Sequence, residues 1–167
     1  MALGALDFDD RHSNPVDTIE AVAALKDWFF DRPGDDEITI SISGQWADYD
    51  VSFSWMDEVE ALHLACAFDL KVKQARSNEV VRLLALVNEQ MLCGHFDLWS
   101  KEGLVIYRQS LLLSGGVEPS TQQVEGMLHT AVDACERYFQ AFQFVLWAGR
   151  SAREALDCVM FETAGEA

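Results

Sequence analysis

The sequence predicts an α+β fold: a five-stranded antiparallel sheet with helices packed on it, in the order α-β-β-β-α-β-β-α. Three observations carry this. Segments of strict apolar/polar alternation come as a run of three and a run of two, joined by short loops, which implies hairpins rather than parallel crossovers. Segments with apolar residues at three- and four-residue steps stand before, between and after those runs. Half of the 167 residues are hydrophobic and only three are proline, so the chain reads as globular. A chain of that length buries enough surface to need neither disulfide nor metal.

Residues 1–13 read as a disordered acidic arm, 14–162 as a single domain and 163–167 as a frayed tail. Asn14 is placed to cap the first helix, with Pro15 at a position where its missing N–H costs nothing. Ile19, Val22, Ala23, Leu25, Phe29 and Phe30 keep the helical step, and Pro33-Gly34 stops it. In the first strand Ile38, Ile40 and Ile42 alternate with Thr39, Ser41 and Ser43. In the second, Tyr49, Val51, Phe53 and Trp55 alternate with Asp48, Asp50, Ser52 and Ser54. In the third, Leu62, Leu64, Cys66, Phe68 and Leu70 face one way; Ala61, His63, Ala65 and Ala67 face the other.

Ser77 or Asn78 then caps a helix striped by Val80, Leu83, Leu84, Val87 and Met91, with Gly94 as its stop. Residues 95–100 and 104–113 form a hairpin around Lys101-Glu102-Gly103, with Gly103 left-handed. Ser120 and Gln123 match a capping box, and the helix behind it keeps its apolar step for six turns from Val124 to Leu146, ending at Gly149. Ser151 and Glu154 repeat the signal for a short last helix through Leu156.

The formal net charge is −16, from 12 Lys+Arg and 28 Asp+Glu. A chain this acidic has no electrostatic footprint for a phosphate backbone, and an anionic membrane repels it; neither nucleic acid nor membrane is an expected partner. Three quarters of the net charge lies before residue 61. That is either a solvated, solubilising surface or one that recruits a basic partner. No basic leader or membrane-length apolar run is present, and no cysteine pair is closely spaced, so a cytoplasmic protein with reduced, core-packed thiols is expected.

No phosphate-loop, dinucleotide, zinc-protease or nucleophile-elbow motif occurs, so no catalytic, cofactor-binding or metal-ligating residue is assigned and no cofactor is expected. Gly115-Gly116 before a helix is either a phosphate cradle or a flexible turn, and the acidic Glu118 beside it favours the turn. His63 and Cys66 are three apart on a strand and face opposite ways. Cys93 and His95 lack the two further ligands a metal needs.

Arg108 stands inside the most apolar strand. It is either paired with a carboxylate of another strand or subunit, or snorkels from the sheet surface. Five Trp and ten Phe are a surplus that one layer of helices does not cover. Together these nominate Trp46, Tyr49, Trp55, Trp99, Tyr107, Arg108 and Leu111 as a partner or homodimer surface, with Tyr107, Leu111 and the long helix near a dimer interface. An alternative is a small-molecule sensor, with ligand between sheet and helices and Arg108 as its polar anchor.

Phe96-Asp97-Leu98-Trp99, Gly103-Leu104-Val105-Ile106-Tyr107-Arg108, Leu111-Leu112-Leu113-Ser114-Gly115-Gly116, Tyr138-Phe139-Gln140-Ala141-Phe142 and Val145-Leu146-Trp147-Ala148-Gly149 resemble the bacterial YbjN family, described as sensory transduction regulators. The resemblance spans most of 14–162 and is densest over 95–156. It implies a fold similar to type III secretion chaperones, commonly dimeric proteins that bind segments of other proteins. The expected function is therefore a non-enzymatic, chaperone-like or regulatory protein that binds a partner polypeptide.

Overall fold

The computed structural model describes residues 13–165; residues 1–12, nearly all of the expected acidic arm, and 166–167 lie outside the described residues. Helix α1 (Pro15–Leu25) starts as the sequence predicts, with Asn14 accepting from the Val16 N–H at 2.9 Å. It ends sooner than its apolar spacing suggests. Asp27 takes a left-handed φ of 55°, a conformation Asp tolerates better than most residues. The Trp28 N–H turns back to Ala23 C=O at 2.9 Å.

The chain then enters a strand the sequence reading had merged into the helix. β1 (Phe29–Gly34) pairs antiparallel with β2 (Glu37–Ser43), Phe30 opposite Ile40 and Asp31 opposite Thr39. Among the described residues the sheet therefore has six strands rather than five. Pro33 is tolerated because β1 is an edge strand. β3 (Asp48–Met56) and β4 (Ala61–Lys71) complete the meander, as their alternation requires.

Helix α2 (Ser77–Asn88) follows a 3₁₀ turn and has no side-chain cap; the Ser77 hydroxyl instead donates back to Gln74 C=O. The helix stops six residues before Gly94, whose positive φ serves the entry to β5 (His95–Trp99). β6 (Leu104–Leu112) returns from β5 through Gly103, which is left-handed as expected, and joins β4, so the strand order is β1-β2-β3-β4-β6-β5.

Helix α3 (Thr121–Trp147) opens with the full capping box, Gln123 N–H to Ser120 Oγ and Ser120 N–H to Gln123 Oε1. Helix α4 (Ala152–Gly165) starts on Ser151 and Glu154 but continues well past Leu156. No helix among the described residues is long and apolar enough to cross a membrane.

Helices α1, α2 and α3 pack on one face of the sheet, and α4 packs outside them on α2 and α3. One row of the ladder, Ile40–Val51–Cys66–Tyr107–Phe96, points into this layer and is buried throughout. Phe68 lies at its centre, with ring centroids 5.4–6.4 Å from Tyr49, Phe96, Phe139 and Phe142. These aromatic side chains carry large buried areas, and most of the tilted and edge-on pairs have the geometry that ring quadrupoles favour. The sheet's other face has no covering layer among the described residues.

Candidate functional site

Antiparallel pairing decides what lies on that uncovered face. Residues alternate sides along each strand, so the row next to the buried one reads Thr39–Ser52–Ala65–Arg108–His95. Glu37, Ser54, His63 and Ser110 form the following row, and Met56, Ala61 and Leu112 the row at the sheet's end. The open face is thus small and polar in the middle. Exposed apolar side chains sit at its margins: Phe29, Met56, Trp99 and Leu112. Asp31 and Asp50 are exposed on its β1–β3 side.

Arg108 is the centre of its polar part. Its Nε–H donates to His63 Nε2 at 3.1 Å and its Nη1 to Asp97 Oδ2 at 3.2 Å. Of the two readings of Arg108, pairing with a carboxylate of another strand is the one the structure shows. The first bond requires His63 to be neutral at Nε2. Burial, then the charges of Arg108 and of His95, hold the His63 pKa below its ordinary value.

Beside this group lies a cleft of about 420 Å³, lined by His63, Cys93, Gly94, His95, Arg108, Gln109 and Ser110. The sequence places these residues on three separate elements, and only the β4–β6–β5 order brings them together. The legible signal was the outward parity of His63 and Arg108 on their strands. Among the described residues no group of three His, Cys, Asp or Glu is arranged to hold a metal.

The edges of the sheet differ. The outer edge of β5 is closed by side chains: Asn88 accepts from Phe96 N–H at 2.8 Å and donates to Phe96 C=O at 3.0 Å, and Asp97 accepts from Leu98 N–H. β6 outruns β5, however, because His95 is the last partner, opposite Arg108. The Leu113 N–H donates to Glu60 C=O across β4, so by alternation Ser110 and Leu112 direct their backbone groups to the opposite side. No strand among the described residues pairs with that side beyond Arg108.

The nominated surface residues part company here. Trp46, Trp99 and Arg108 are exposed or half-exposed, but Trp46 lies in the β2–β3 loop beside Glu136 of α3, away from the other two. Tyr49, Trp55 and Tyr107 are buried, at 1%, 6% and 0% exposure, because their strand positions point under the helices. Leu111 is half-buried against the same core. The side chains of Tyr49, Trp55 and Tyr107 thus lie beneath the helices rather than on a surface. Nor does Arg108 anchor a ligand between sheet and helices, since it lies on the face opposite them.

Two other expectations are resolved. The Gly115 and Gly116 N–H groups donate to the Glu60 carboxylate at 3.2 and 3.4 Å, so an internal anion occupies the would-be phosphate cradle. All four cysteines are free. Cys66 and Cys135 are core-packed as expected, but Cys93 and Cys158 are exposed. Hydrogen bonding to Cys66 and then burial push the Cys135 thiol well up.

The fold is similar to several solved structures. The crystal structure of YbjN, described as "a putative transcription regulator from E. coli", matches with a TM-score of 0.54 at 12% identity, over 80% of this chain and 90% of that one. A chain of the ExsC–ExsE complex matches with a TM-score of 0.50 at 16% identity, over 74% and 92%. The HopA1–SchA chaperone–effector complex gives 0.45 at 16% identity, over 71% and 88%. The likeness to YbjN and to the chain of the ExsC–ExsE complex bears out the expected α+β fold of the type III secretion chaperone-like kind. No curated protein matches the chain in sequence. The model of the family described as "YbjN: Putative bacterial sensory transduction regulator" matches residues 15–144, the whole span from α1 through most of α3, and the chain belongs to that family.

Proposed function

We propose that this chain is a non-enzymatic, chaperone-like regulatory protein that binds an extended segment of a partner polypeptide on the open face of its sheet. The observation that carries the proposal is the uncovered face itself: among the described residues helices occupy only one side, while the other combines an apolar end with a stretch of β6 edge that no described strand pairs with. Exposed strand edges are templates for added strands. The YbjN family membership and the likeness to a chain solved in the ExsC–ExsE complex support a partner-binding role.

The chemistry of the face suggests the partner's. Met56, Ala61 and Leu112 stand side by side; Glu37 is exposed in the adjoining row, and Asp31 and Asp50 are exposed further along the same face. A segment with alternating apolar and basic residues complements this pattern, its apolar side chains meeting Leu112 and its cations meeting the acids. Homodimerisation through the same edge is the competing use of the surface.

Affinity capture with crosslinking on the wild-type chain, L112D, M56D and F161D tests this, with the mass of each protein in solution measured alongside. Phe161 is exposed on α4, remote from the sheet. The expected result is one polypeptide held by wild type and F161D and weakened at least about tenfold by either open-face variant. Equal capture by all four proteins, or loss in F161D alone, overturns the proposal. A wild-type dimer that L112D converts to monomer, with no partner captured, reassigns the face to self-association.

A further inference from the structure

The notch where β5 ends beside β6 has the makings of a site for a small anion. β5 stops at His95 while β6 runs four residues beyond Arg108, and the cleft of about 420 Å³ opens at that step. A volume of this order accommodates a small metabolite. In a chain with 28 acids against 12 Lys+Arg, not one of the cleft's lining residues is a carboxylate. Its charged lining group is a guanidinium, with two imidazoles beside it.

That guanidinium is already oriented. His63 Nε2 holds Nε and Asp97 holds Nη1, which fixes the plane of the fork, while Nη2 has no partner among the described residues. A planar fork held in advance loses little freedom when it takes up an oxyanion. Ser110 adds two donors. Its hydroxyl has no hydrogen-bond partner among the described residues, and its backbone N–H points to the side β5 has vacated. Backbone and hydroxyl donors beside an arginine are the groups that bind carboxylates and phosphates.

We propose that this notch binds a small free oxyanion, a carboxylate or a phosphate, held by Arg108 and Ser110 with His95 at the rim. The proposal stands whether or not a polypeptide docks on the same face.

Sodium phosphate and sodium succinate are titrated separately into the full chain at constant ionic strength, with chloride as the control, and followed by ¹H–¹⁵N spectra that include the Arg108 Nε–H. The expected result is a saturable shift at Arg108, Ser110 and His95 with at least one of the two anions. R108Q weakens it at least about tenfold, and R108K restores only part, because an ammonium keeps the charge without the fork. A response to phosphate alone or to succinate alone assigns the class. If R108Q does not fold, H95A serves in its place, since the exposed His95 ring donates and accepts no hydrogen bond within the described structure. The proposal fails if neither anion gives a saturable shift, if chloride gives the same one, or if the folded variant binds as tightly as wild type.

Discussion

The Arg108 Nε–H donates to His63 Nε2 at 3.1 Å across the β4–β6 pair, reaching diagonally past Ser110, the residue that faces His63. This contact is the hub of the open face. It requires a neutral imidazole beside a permanent cation, and it ties the central strand to the strand that carries the notch.

The first prediction follows from the sign of that requirement. The His63 pKa lies below the ordinary 6.5 in the folded chain, through burial first and then through Arg108 and His95. As pH falls the unfolded chain takes up this proton before the folded one does. The stability gained is therefore complete above pH 6.5 and is lost as pH drops from there toward the folded value. Relative to H63Q, wild type should lose up to about 1 kcal/mol between roughly pH 7.5 and pH 5.5, measured by urea unfolding. A pH-independent difference between the two proteins refutes it. In R108Q the His63 resonance should titrate at higher pH.

Asn88 acts as a surrogate strand for Phe96, accepting from its N–H and donating to its C=O. N88A leaves both backbone groups of a covered edge without partners and should cost about 1–3 kcal/mol. It also bares the β5 edge, so concentration-dependent self-association in light scattering should accompany the loss. A variant as stable and as monodisperse as wild type counts against this role.

Tyr49 is buried, and its hydroxyl has no partner in hydrogen-bonding geometry among the described residues. Burial and the neighbouring Glu136 carboxylate hold it in the neutral form, its pKa raised. Removing an unsatisfied buried hydroxyl removes a desolvation cost, so Y49F should match wild type or exceed it by up to about 1 kcal/mol in denaturant unfolding. A loss of stability larger than about 1 kcal/mol shows instead that the hydroxyl is bonded to Glu136 in solution.

Phe68 meets four other rings at the centre of the core. F68A should cost about 3–5 kcal/mol. F161A, on an exposed position of α4, should stay within about 0.5 kcal/mol of wild type. Comparable losses in the two variants would place the core elsewhere.

Much of the fold was legible locally. The strict alternation of β2 to β4, the capping box at Ser120 and the left-handed Gly103 are all set by a few adjacent residues, and each is found where expected. β1 was not legible. Trp28, Phe29 and Phe30 fit a helical stripe as well as a strand, and what decides between them is the hydrogen-bonding row that β2 offers from across a turn.

The site divides the same way. Sequence alone determined the acidic balance, the order of the helices and of the five strands it recognised, and which residues share a side of each strand. Those follow from charge and from periodicities of 2 and 3.6 within single segments. Only the tertiary structure decided which side is buried. Tyr49, Trp55 and Tyr107 looked like surplus aromatics for a surface, but the helices pack on their side of the sheet and enclose them. Arg108, His63 and His95 lie on the side left open, and the strand order that seats β6 between β4 and β5 gathers them around one cleft. Alternation states that two sets of side chains face opposite ways; which set meets the helices is settled by packing between segments far apart in the chain.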